Sequence, residues 1–219
     1  MRYIYMLPAA FLVPVIHEWV KAVVSTLQGD PTPRMQGRLT LNPFKHFEPI
    51  GFMFVLVYGF GWGNPAPTGA LHYRDRQRGI IVTYVTPVLV SLLLGFGAAF
   101  LASVLAARAY SLMFDMLSIR NFLMFNFWDP DLTLIAIVLL SHFAFISINI
   151  ALFNLIPVYP MAAHKLVQVF SRPDTIAWLN HYEKPMQIFL ILLLAFGMVG
   201  TLFQPLSLRI IDIAWGLGG

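Results

Sequence analysis

Three ionisable side chains stand close together in an otherwise apolar stretch: His17, Glu18 and Lys21, within Ile16-His17-Glu18-Trp19-Val20-Lys21. On a helix, residues three and four apart share a face, so Glu18 and Lys21, and likewise His17 and Lys21, are neighbours. A neutral His offers a nitrogen lone pair to a metal or a proton, and a Glu can serve as a general base. The spacing is one residue short of H-E-x-x-H, in which two His at i and i+4 hold zinc beside a Glu base. Lys21 stands where the second His would be. The segment carrying these groups runs from about residue 3 to 27 and is long enough to cross a membrane. Ionisable groups at that depth cost ~2.5–3.5 kcal/mol each on insertion scales, so their presence points to function.

The rest of the chain has the composition such a segment requires. Of 219 residues, 58% are hydrophobic and 11% charged, and the mean hydropathy is +0.74. A soluble domain carries roughly 25% charged residues, and no polar stretch here is long enough to build one. The sequence therefore reads as one integral membrane domain, 1–219. The net charge of +4 comes without a basic helix or an aromatic-and-basic platform, which argues against a nucleic-acid partner. Zero cysteines exclude a disulfide framework and any thiolate metal site. Only Arg2 precedes the first apolar run and no small-residue cleavage site follows, so that run is expected to be retained as a span.

The expected class is an all-α polytopic membrane protein with four to six transmembrane helices. The first span ends at Gln28-Gly29-Asp30-Pro31, a helix stop. Ile50 to Trp62, thirteen residues bounded by prolines, is too short for the ~20 residues a span needs and is expected to be re-entrant or interfacial. An extended loop follows it. Further spans are expected over about 80–107, 132–153 and 186–202, with an interfacial stretch at 108–131 whose Phe residues and Trp128 lie at headgroup level. The tail 203–219 reads as amphipathic or as a short fifth span. Arg34, Arg38, Lys45, Arg74, Arg76, Arg78, Lys165, Arg172 and Lys184 collect on one face, and Arg2, Arg108, Arg120 and Arg209 on the other. The positive-inside rule then puts the N-terminus outside and the richer face in the cytoplasm, with Lys21 near enough to that face to snorkel.

Five stretches in order resemble one family, the site-2 proteases, which are intramembrane zinc metalloproteases. They cover most of residues 10–170. His17-Glu18-Trp19-Val20-Lys21 resembles the zinc-binding helix. Gly37-Arg38-Leu39-Thr40-Leu41-Asn42-Pro43-Phe44-Lys45-His46-Phe47-Glu48-Pro49-Ile50-Gly51 is similar to the segment that follows it in the short bacterial members. Gly59 to Pro67 resembles their G-W-x-x-P-x-P turn. Thr86-Pro87, with Ser91 beyond, matches their A-G-P-x-x-N helix only at the proline. Asn154-Leu155-Ile156-Pro157-Val158-Tyr159-Pro160-Met161-Ala162-Ala163 resembles N-L-[LI]-P-x-x-P-L-D-G. The resemblance implies a site-2-protease-like core over about 3–170, C-terminal helices over 185–219, and a bacterial inner-membrane setting.

It also implies a chemistry that these residues do not complete. The family's zinc is held by two His and one Asp, and this chain offers His17, Lys21 and Ala162 in those places. A protonated Lys has no lone pair to donate, and alanine has no ligand atom. Glu18 keeps the general-base position. The expected function is a catalytically inactive homologue without a cofactor that binds membrane helices or serves in a larger membrane complex. The alternative is an active intramembrane zinc protease with unusual ligands, for which His164 is the replacement candidate. His164 otherwise reads as a solvated or interfacial residue beside Lys165. His142 is expected to bond across helices, His46 to be structural, and His72 and His181 to carry no signal. Glu18 and Lys21 are expected to form an ion pair in place of the metal. Gly61, Trp62, Asn64, Pro65 and Pro67, with Asn154 and Pro157, are the expected contacts to a membrane partner or peptide, by strand addition along the extended stretch.

Overall fold

The computed structural model describes residues 2–116 and 132–218, and its α-helices are connected by turns and extended loops. Helix α1 is Arg2–Leu27, followed by the short helices α2 (Thr32–Met35), α3 (Pro43–His46) and α4 (Pro49–Tyr58). Helix α5 is Arg76–Met116 and α6 is Leu132–Phe153. Four more follow: α7 (Ala162–Val169), α8 (Pro173–His181), α9 (Glu183–Ala195) and α10 (Met198–Gly218).

Among the described residues, three helices are long and apolar enough to cross a membrane: Ile4–Leu27, Arg76–Ala109 and Leu132–Phe153. The pair α9 and α10 adds a fourth if it counts as one broken span, with a 70° bend between the two halves. The continuous span expected over 186–202 is thus corrected. Gly197 takes a left-handed conformation, φ +71°, and ends α9 as a C-terminal glycine commonly does. The tail is the body of α10, whose Ala214 packs with Ala98, Ala99 and Ala144 of α5 and α6. Of the expected interfacial stretch, 108–116 continues α5, and the remainder with Trp128 lies outside the described residues.

The chain between α1 and α5 is a hairpin laid along α1. Glu48 caps α4 by accepting from the Gly51 amide, and Pro49 at the first helical position needs no donor. Phe47 and Phe52 lie against Phe11, ring centroids 5.9 and 4.4 Å away. Val55 reaches Met6, Ala9, Ala10 and Val13, so α4 runs antiparallel to α1. Gly59, φ +78°, reverses the chain, and residues 60–69 return in extended form. A Cβ at Gly51 would strike the Trp62 carbonyl, and one at Gly61 the Gly51 carbonyl. Glycine at both positions is what lets the two limbs touch. Trp62 stacks on Phe153 at 6.1 Å and 14°, tying the returning limb to α6.

The hairpin folds down beside α1 and holds one of the basic residues grouped on the richer face. Arg38 is buried and donates to the carbonyls of Lys45, Asn64 and Pro65. Pro43, His46 and Phe47 share a small cavity with Ala10, Phe11 and Pro14, at the middle of the first span. His46 is structural as expected: it is buried, and its Nε2 lies 2.9 Å from the Thr40 carbonyl.

At the end of α1 the hairpin is anchored by one buried acid. Asp30 Oδ2 accepts from the Ser25 hydroxyl (2.8 Å) and the Gly69 amide (2.7 Å). Its Oδ1 accepts from the Thr32 amide (2.9 Å) and hydroxyl (2.5 Å). Burial pushes this carboxyl up, but the hydrogen bonds from Thr32, Gly69 and Ser25 outweigh it and hold it below its ordinary value.

Candidate functional site

His17, Glu18 and Lys21 point from α1 into the wedge between α5 and the returning limb, and all three are buried, with 3, 6 and 5% of their surface exposed. Lys21 Nζ lies 2.5 Å from Glu18 Oε2. The same oxygen accepts from the Ala66 amide at 2.7 Å. Lys21 therefore does not snorkel to a membrane surface. Its other contact is the Tyr84 ring, 5.7 Å from Nζ to the centroid, a cation–π distance. The Tyr84 hydroxyl in turn meets Thr68 Oγ1 at 2.9 Å. Two opposite charges removed from water are tolerable only when other groups compensate them, and here the Tyr84 ring faces the ammonium and the Ala66 amide donates to the carboxylate.

His17 is held from behind. Its Nδ1 lies 2.9 Å from the hydroxyl of Ser91 on α5, which fixes the ring. His17 and Glu18 face a cavity about the size of one water molecule, closed by Pro14, Trp62, Pro65 and Met161.

The third expected position is apolar. Ala162 is buried with Tyr84, Val88 and Ala151, and its amide donates to Asn154 Oδ1 at 3.1 Å. The Ala163 amide donates to the Asn154 carbonyl at 2.9 Å, and Asn154 Nδ2 donates to the Ile150 carbonyl at 2.9 Å. Asn154 thus clamps the start of α7 to the end of α6, and its side chain is spent on that clamp. Pro157 lies exposed in the turn between them.

Zinc in a hydrolytic site needs three protein donors and an open position. Of the three expected positions only His17 offers a donor, because the Lys21 ammonium is committed to Glu18 and Ala162 has no ligand atom. Among the described residues, no three His, Cys, Asp or Glu side chains come together as a metal site. The residues present do not fit the ion.

The structure does not bring His164 to His17. It is buried, not solvated, with Nε2 at 3.1 Å from Gln168 and 3.4 Å from Glu183. Burial and the neighbouring Lys165 lower its pKa, against the pull of Glu183. The amphipathic face of α7 turns it toward α8 and α9. His142 is also corrected: its Nδ1 meets the Val138 carbonyl at 2.7 Å, within its own helix. On the returning limb, Gly61 and Trp62 are buried, Pro67 is half-buried and Asn64 is exposed. The Asn64 amide donates to the His46 carbonyl at 2.8 Å, and Arg38 and Glu18 take the carbonyls of Asn64 and Pro65 and the amide of Ala66. Strand addition over 64–66 would have to displace these bonds.

Sequence reasoning did not assign roles to Ser91, Arg38, Asp30 or Tyr84. Ser91 was visible only as a departure from an Asn. Arg38 and Asp30 each read as a loop charge, and nothing local marks such a residue as a buried clamp.

No family model matches the chain, and no solved structure matches it. It is 30% identical over 169 residues to a protein of Bacillus subtilis (strain 168) named "Putative zinc metalloprotease YwhC", covering 77% of this chain and 69% of that one. With His17 and Glu18 adjacent on the first membrane helix, the chain belongs to the metalloprotease family of that relative.

Proposed function

We propose that this protein is a site-2-protease-like member of its family that binds membrane segments without cleaving them. The observation that carries the reading is the Lys21–Glu18 pair, 2.5 Å from Nζ to Oε2. A Glu serving as general base must be free to take a proton from water, and this carboxylate is occupied by an ammonium and a backbone amide. Ala162 at the third ligand position points the same way. A cytoplasmic face carrying the arginines around Arg74 to Arg78, in a bacterial inner membrane, is the orientation consistent with this reading.

The experiment is a paired comparison in detergent and in vesicles. Lys21→His with Ala162→Asp restores the ligand types, and the parent carries neither change. The expected result is cleavage of a single-span membrane substrate by the double variant only. Cleavage by the parent that is lost in Glu18→Gln contradicts the proposal and favours the active alternative.

A further inference from the structure

One flank of the hairpin is uncovered. Leu41, Phe44, Ile50, Met53 and Val57 are exposed, Phe44 at 85% and Met53 and Val57 at 54 and 53%. On α4, Ile50, Met53 and Val57 follow i, i+3, i+7 and form one face, while Phe54 and Val55 on the other side are buried in the core. This flank sits at depth. Phe47 stacks on Phe11, and Pro43 and His46 adjoin Pro14, near the middle of the 24-residue span Ile4–Leu27. Lys45, next to Phe44 in sequence, is exposed and has no carboxylate within ion-pair distance among the described residues. The adjacent acid, Glu48, is turned back to cap the Gly51 amide. A basic side chain at mid-span normally pairs within the protein or lines an aqueous path.

We propose that this strip docks a single transmembrane helix bearing an Asp or Glu in its central third. The carboxylate pairs with Lys45, and the helix's apolar residues cover Phe44, Met53 and Val57. Acyl chains would cover the apolar residues and leave the lysine unmatched. A second copy docked about a twofold axis would bring the same lysine-bearing strip against itself. A phosphate headgroup lies roughly 15 Å from the midplane of a bilayer, farther than a lysine's four-carbon stem extends. The proposal uses residues outside the Glu18 site and holds whether or not the chain cleaves.

The chain has no cysteine, so Gln77→Cys, at an exposed position outside the strip, supplies a unique site for a donor fluorophore on the full-length protein. The probes are acceptor-labelled leucine-rich single-span peptides with one central Glu, Gln or Lys, in phosphatidylcholine bilayers. The expected result is apparent affinity about fivefold higher for the Glu peptide than for its Gln twin. Lys45→Gln removes that preference, and Lys45→Glu transfers it to the Lys peptide, which an unfolded variant would not do. Equal transfer from Glu and Gln peptides, or a Glu preference that survives Lys45→Gln, overturns the proposal. So does displacement of the Glu peptide by phosphatidylglycerol, which would identify an anionic headgroup as the occupant.

Discussion

The Glu18–Lys21 pair shows how one substitution changes what a buried carboxylate can do. Removing one partner of a buried pair leaves an unmatched charge and costs about 3–5 kcal/mol, whereas replacing both by apolar or neutral groups costs far less. Lys21→Met is therefore expected to destabilise the protein by about that much, and Glu18→Gln with Lys21→Met to recover most of it. Thermal unfolding in a fixed detergent measures both. If the single variant melts like the parent, the pair is not what satisfies these groups. Asp30 gives a separate expectation, because its folded carboxyl lies below the ordinary value of 3.8. Such a group stabilises the fold fully above the ordinary value, and that contribution is lost as pH falls through the lower folded value. The parent should lose stability on acidification below about pH 3.8. Asp30→Asn should be less stable at neutral pH and should lack this part of the acid dependence. The pair itself was legible from spacing alone, since i and i+3 on a helix leave two long side chains within reach. The groups around it were not, because the Ala66 amide at Glu18, the Tyr84 ring at Lys21 and the Ser91 hydroxyl at His17 arrive from segments 48 to 74 residues away, and local sequence carries no such distance.

The elements divide along the same line. Spans over residues 3–27 and 132–153 follow from apolar length and their stops, and the structure places α1 and α6 there. The short helix α4 was foreseeable because thirteen residues between prolines cannot cross a bilayer. The bend at Gly197 was not, since a lone glycine in an apolar run is compatible with a continuous membrane helix and only its left-handed conformation breaks it. The hairpin depends on two glycines in mutual contact. Gly61→Ala would press a methyl group onto the Gly51 carbonyl, and overpacking of this kind costs about 1–3 kcal/mol. The expected sign is loss of melting temperature, with faster proteolysis of residues 59–69. An alanine variant as stable and as resistant as the parent would show that the limbs are not in contact.

On the scale of the whole molecule, the chain is akin to a metalloprotease while the residues at its expected zinc positions do not fit that ion. Helices α1 and α5 meet at His17, and the returning limb closes over Glu18. An ammonium occupies Glu18 and a methyl group stands at the third expected position, and on the proposed function this internal charge pair takes the place of zinc. Elemental analysis of the purified, detergent-solubilised parent tests that claim most directly. The expected zinc content is far below one per chain, with a melting temperature unchanged by chelator. About one zinc per chain, removed together with stability by a chelator, would contradict it.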